Sequence, residues 1–103
     1  MPDRIETIKK LLSAQPTDMF LNYSLAMELA SADRLAEAIA QFARCLEIDP
    51  NYLPAYAEAG KTLRQAGRLE EARKMFRKGI ELAAGQGQLH TQDYLQQQLE
   101  SLG

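Results

Sequence analysis

A chain of 103 residues with 46% hydrophobic and 25% charged side chains has the balance of one soluble globular domain, not of a disordered or membrane-embedded polypeptide. No apolar run approaches the roughly 20 residues needed to cross a bilayer, and the charged start MPDRIETIKKLL lacks the apolar stretch of a secretion signal, so a cytoplasmic location is expected. The net charge is only −2, and a single cysteine, Cys45, excludes an internal disulfide.

The first expected helix, over 3–14, precedes Pro16 and carries Ile8, Leu11 and Leu12 as its apolar positions. The second and third, over 18–31 and 35–48, belong to a block from 19 to 52; the fourth and fifth, over 53–66 and 69–84, belong to a block from 53 to 86. The two blocks repeat one 34-residue pattern, in which Leu29/Leu63, Ala32/Ala66, Arg34/Arg68, Ala38/Ala72, Phe42/Phe76 and Glu47/Glu81 coincide. A fixed period of this length marks stacked supersecondary units, because one unit alone cannot bury its apolar face. Ala38 and Ala72 fall where two helix axes approach closely, and Phe42 and Phe76 follow one turn later on the same face.

The connections follow from local chemistry. Gly67 suits a turn that needs positive φ, and its counterpart Asp33 is a tolerable substitute there. Asp49-Pro50-Asn51 stops the third helix and leaves Asn51 to cap the fourth. Pro16 lies one period before Pro50, and Ile8, Leu11 and Leu12 fall on the sites of Phe42, Cys45 and Leu46, so residues 2–16 read as the second half of a unit. Ala84 stands one period after Pro50, so the fifth helix is expected to run on to about Gly85. Gly85-Gln86-Gly87 then breaks the chain before a last helix over 88–102, whose Leu95, Leu99 and Leu102 recur at i, i+4 and i+7 as a capping element requires. No segment reads as a strand.

This pattern resembles the tetratricopeptide repeat. The first unit carries the resemblance in Leu25, Ala26, Leu29, Ala38, Phe42, Cys45 and Pro50, the second in Tyr56, Ala59, Gly60, Leu63, Gly67, Ala72, Phe76 and Gly79. Asn22 departs from the family's usual aromatic, Cys45 and Gly79 replace a small alanine, and Ala84 replaces the closing proline. The resemblance implies an all-α, right-handed α-solenoid of antiparallel helix pairs, about six helices in a single domain over 1–103.

Catalysis is not expected, and neither a cofactor nor a metal is implied. His90, in the first turn of the last helix, lies far from Cys45 in the repeat scheme, and Cys45 sits on a small-residue packing site. Gly85-Gln86-Gly87 has no preceding strand and no following Gly-Lys-Ser/Thr, so it is no phosphate loop. Charge is unevenly laid out: residues 19–51 hold two basic and five acidic side chains, residues 52–86 seven basic and four acidic. The basic cluster Lys61, Arg64, Arg68, Arg73, Lys74, Arg77 and Lys78 is a weak nucleic-acid candidate, because Glu70, Glu71 and Glu81 interrupt it and stacking aromatics are absent beside it.

Protein recognition remains. In the family, the first helix of each pair lines a concave groove that holds an extended peptide or a partner helix. Carried over, the resemblance places Phe20, Tyr23, Ser24, Met27 and Ser31 there from the first unit, Ala57, Glu58, Lys61, Arg64 and Gln65 from the second, and Thr91, Gln92 and Leu95 from the last helix. Clamps of this family for chaperone tails place lysine and asparagine on the first groove helix; Tyr23 and Met27 stand at those positions and Glu58 repels a carboxylate, so that subtype is disfavoured. Phe20, Tyr23 and Met27 have an alternative placement against the N-terminal helix. The resulting expectation is an adaptor that binds another protein or peptide segment; the alternatives are a structural module that homodimerises through its apolar first-repeat surface and, less favoured, nucleic-acid binding through the convex basic face.

Overall fold

The computed structural model describes residues 3–102. Met1, Pro2 and Gly103 lie outside the described residues, and with Pro2 the first residue of the expected half unit. Six α-helices, and no strand among the described residues, follow one another: α1 (Arg4–Ala14), α2 (Met19–Ser31), α3 (Leu35–Ile48), α4 (Leu53–Gln65), α5 (Leu69–Gly85) and α6 (Leu89–Glu100). Each packs on the next, giving an all-α solenoid about 41 Å long and 19 Å thick. The run of α5 to Gly85 matches what the missing proline at 84 predicts.

The starts of the helices show how different residues meet one requirement. Four N–H groups at a helix start lack partners within the helix. Asp3 accepts from the Ile5 N–H at 3.2 Å, and Asp18 accepts from the Leu21 N–H at 2.8 Å. Asn51 does not cap α4 as expected: the residue before the helix is Tyr52, with no side-chain cap, and the Asn51 N–H donates to the Asp49 carboxylate at 2.9 Å. α3, α5 and α6 likewise start without a side-chain cap; in α4 the first turn holds Pro54, which has no N–H to satisfy.

Three tight turns share one design. Asp33, Gly67 and Gly87 have φ of 61°, 79° and 69°. The next residue closes each helix with a bond back to its last turn, from Arg34 to Leu29 at 2.9 Å, Arg68 to Leu63 at 2.9 Å and Gln88 to Ala83 at 2.8 Å. The segment expected to break the chain at 85–87 is a helix-closing turn centred on Gly87, and α6 folds directly back on α5.

Phe42 and Phe76, one period apart, are wholly buried, as are Ala38 and Ala72. Each Phe anchors one of two apolar clusters, the first with Leu25, Ala26 and Leu29, the second with Leu63, Ala72 and Leu95; Met75 packs against both. Gly60 is required beside Phe76, because a Cβ there would lie 2.7 Å from the ring Cδ1. Asn22, at the aromatic position, is buried and donates to the carbonyls of Pro16 at 3.1 Å and Asp18 at 2.8 Å, while its Oδ1 accepts from Gln41 at 2.7 Å. Tyr56, one period later, donates its hydroxyl to the Pro50 carbonyl at 2.7 Å. Amide and phenol thus fasten equivalent proline turns.

Candidate functional site

The first helices of the successive pairs, α2 and α4, together with α6, bring one repeat position into a common hollow. Tyr23, Ala57 and Thr91 are spaced by 34 residues and all line an open hollow of about 480 Å³, with Glu58 beside them and Asn51, Tyr52, Gln86 and Gln88 contributed by the connections. Tyr23 leans edge-on against Phe42 and Tyr52, with ring centroids 6.0 and 5.4 Å apart, so its orientation is set by the core below it. Burial, and then the Glu58 carboxylate, push its hydroxyl up to about 12, so it stays a neutral donor at ordinary pH.

Glu58 is the hollow's charge, and Lys61 pairs with it at 3.3 Å across one helical turn. Burial pulls the Lys61 ammonium down, but the Tyr94 hydroxyl and Glu58 outweigh it and leave it raised, hence charged. Its Nζ lies 6.0 Å from the Tyr94 ring centre. Arg64 reaches α6, donating to the Gln98 Oε1 at 2.7 Å and the Ser101 hydroxyl at 3.2 Å. Lys61 and Arg64 thus tie α4 to α6 as well as facing solvent.

The residues expected to share one groove occupy several places. Tyr23, Ala57, Glu58 and Thr91 come together in the hollow. Phe20, 76% exposed, and Ser24 instead line a smaller hollow of about 240 Å³ between α1 and α2. Met27 is half-buried against the first cluster. Ser31 and Gln65 are exposed on the closing residues of α2 and α4, and Gln92 lies with Asp93 and Gln96 on the outer side of α6. Leu95 does not present itself to a groove: it is wholly buried, seated where Gly79 leaves room, and a Cβ on Gly79 would come 2.9 Å from its Cδ1. Sequence reasoning missed Asn51, Tyr52, Gln86 and Gln88. Applying the period to the connections finds part of this set, since Tyr52 and Gln86 are themselves one repeat apart.

The basic face divides once partners are counted. Arg68 pairs with Glu71, Arg73 pairs with Glu70 and donates to the Leu102 carbonyl at 3.1 Å, and Lys61 and Arg64 are engaged as described. Lys74, Arg77 and Lys78 remain on the exposed side of α5. Burial pushes the Cys45 thiol up to about 11, which disfavours the thiolate that nucleophilic chemistry needs. His90 is exposed at the start of α6. No helix among the described residues is long and apolar enough to cross a membrane.

Known proteins share this arrangement. A TPR repeat-containing protein of Pseudomonas aeruginosa is 30% identical over 83 residues, 81% of this chain and 79% of its own length. The solution structure of a tetratricopeptide repeat domain protein from Salinibacter ruber is 31% identical, with a TM-score of 0.78, over 84% of this chain and 88% of that one. A Bordetella parapertussis protein solved in solution, 26% identical, superimposes with a TM-score of 0.87 over 99% of this chain and 89% of its own. The family profile for the tetratricopeptide repeat matches residues 29–99, a span that takes in both buried phenylalanines and the three helix-closing turns. With the period, the paired helices and these likenesses in agreement, the chain belongs to the tetratricopeptide repeat family.

Proposed function

We propose that this chain is a non-catalytic adaptor that holds a segment of another protein in the hollow between α2, α4 and α6. The carrying observation is that Tyr23, Ala57 and Thr91, one residue per period, open into one cavity of about 480 Å³. A fold of this family suggests a protein-interaction module in general, and a hollow lined at the repeat period offers an extended peptide similar contacts at regular intervals. Tyr23 and Tyr52 give it aromatic walls; Asn51, Gln86 and Gln88 give it side-chain amides that pair with a peptide backbone. Glu58 selects a segment that brings a basic or amide donor and rejects a terminal carboxylate.

Selection of peptides from a random library on the folded chain tests this reading. The selected set is expected to be enriched in lysine or arginine, to lose that preference on Glu58→Lys and to bind at least about tenfold more weakly to Thr91→Arg, which fills the hollow. Equal binding of one set to all three proteins places recognition elsewhere. The homodimer alternative draws on a smaller surface than the sequence implies, because Tyr23 and Met27 are half-buried in their own chain and Phe20 is the member of that apolar trio that stands open.

A further inference from the structure

A second surface lies at the N-terminal end of the stack, away from the hollow. There Leu11 is 47% exposed and Phe20 76% exposed, on either side of a groove floored by Ile8 and Leu21. We propose that this groove receives an amphipathic helix of a partner polypeptide, lying antiparallel to α1 as α2 lies on α3.

The chain itself shows what such a surface holds. A shift of one period carries Ile8, Leu11 and Leu21 onto Phe42, Cys45 and Ala55. These three are 0% exposed, because α2 brings Leu25, Ala26 and Leu29 into the same cluster. Thr7, one period before Gln41, occupies the place from which Gln41 reaches across to Asn22 of α2 at 2.7 Å. The groove between α1 and α2 is therefore built as a seat for a helix, and among the described residues no helix fills it.

Its differences from the filled seat state the partner's chemistry. Arg4 stands where the filled seat has Ala38, lines the end of the groove, and is held by Glu28 at 3.1 Å. An incoming helix cannot approach at that end as closely as α2 approaches Ala38. It makes its apolar contact over about two turns, opposite Thr7 to Ala14. Running antiparallel to α1, it brings the negative end of its dipole to the N-terminal end of α1, beside the Arg4–Glu28 pair. The partner is thus an amphipathic helix with aliphatic side chains spaced at i, i+3 and i+7 whose C-terminal end lies beside Arg4.

A second copy of the chain is poorly suited to this role. The apolar stripe of α6, Leu95, Leu99 and Leu102, is turned into the second cluster, and the outer side of that helix offers Gln92, Asp93 and Gln96 beside the single exposed Leu89 at its start, not a spaced row of aliphatic side chains.

The probe is an end-blocked peptide with the sequence of residues 18–34, the helix that fills the equivalent seat one period on, titrated into the full chain and followed residue by residue by amide NMR. Saturable shifts are expected at Leu11, Phe20 and Ser24. Leu11→Asp and Phe20→Asp, both at exposed positions and each first shown to keep the parent's amide spectrum, should each weaken binding at least about tenfold. Thr91→Arg, in the separate concave hollow, should leave it unchanged. No shift at about 1 mM peptide, or shifts that persist in both aspartate variants, overturns the proposal. A peptide-free chain that sediments as a dimer, and as a monomer once Leu11→Asp is introduced, overturns it in favour of a second copy as the occupant.

Discussion

Where the first unit places Cys45 in one cluster with Ala55 and Ala59 of the following helix, the second places Gly79 and receives Leu95 of the following helix. The bulk has moved from one side of the joint to the other. Within the units the ring stays on the same side and the approach tightens instead: Ala26 shares its cluster with Phe42, whereas Gly60 accommodates Phe76 so closely that a Cβ would meet the ring. What the repeat keeps constant is the filled space between helices at a fixed spacing, and residue identity follows from what stands opposite.

The largest test of that comparison is truncation of the two anchors. Phe42→Ala and Phe76→Ala should each cost about 3 to 5 kcal/mol, because both rings are wholly buried at equivalent positions. In thermal unfolding neither variant should retain a cooperative transition near the parent's. A Phe76→Ala variant that melts with the parent would show that the second cluster does not hold the stack together.

A smaller effect separates the units. Gly60→Ala should cost about 1 to 3 kcal/mol by overpacking, since Phe76 Cδ1 lies 2.7 Å from the added carbon. The added methyl should be tolerated once the ring is reduced in Phe76→Leu, so the double variant should be more stable than the sum of the two singles predicts. Strict additivity, measured by denaturant unfolding, would mean that the two positions do not meet.

The units also differ in what they titrate. Burial holds the Cys45 thiol up to about 11, from an ordinary 9.0, and the Tyr23 hydroxyl up to about 12, from an ordinary 10.0. Gly79 and Ala57 occupy the equivalent places in the second unit and carry no proton to lose. The native state retains both protons more tightly than the unfolded chain does. Their stabilisation is complete below pH 9 and falls as the pH rises from about 9 to 12. Cys45→Ala should remove the earlier part of that alkaline decline, and an unaltered pH profile would place the loss elsewhere.

The smallest effect concerns the turns. Asp33 and Gly67 both have positive φ, 61° and 79°. Gly67→Ala should destabilise by about 1 kcal/mol, and Asp33→Gly should stabilise by a few tenths to about 1 kcal/mol. If both changes prove neutral in denaturant unfolding, left-handed backbone at these turns costs nothing.

The period made most of the fold legible. Ala38, Ala72, Phe42 and Phe76 repeat because packed helices impose the same contact twice, and a repeated contact leaves a repeated residue. Leu95 was misplaced because the frame cannot show that Gly79 leaves a space beneath α6, and Leu95 is the residue that fills it. Asn51 was misread as a cap because Asp49 draws its N–H into the preceding turn and α4 begins after Tyr52, a pairing the sequence alone does not show. The candidate site was less legible than the core. A wall built from connections, as by Asn51, Gln86 and Gln88, leaves no periodic apolar signal, and Phe20 and Tyr23 lie close in sequence yet face different hollows.

The central claim, that α2, α4 and α6 form one binding surface through equivalent positions of successive repeats, is tested most directly by amide NMR of the full chain with a library-selected peptide. The account predicts that Tyr23, Ala57, Glu58 and Thr91 shift together along a single saturation curve while Lys74, Arg77 and Lys78 stay still. Shifts confined to those three basic residues of α5 would contradict it.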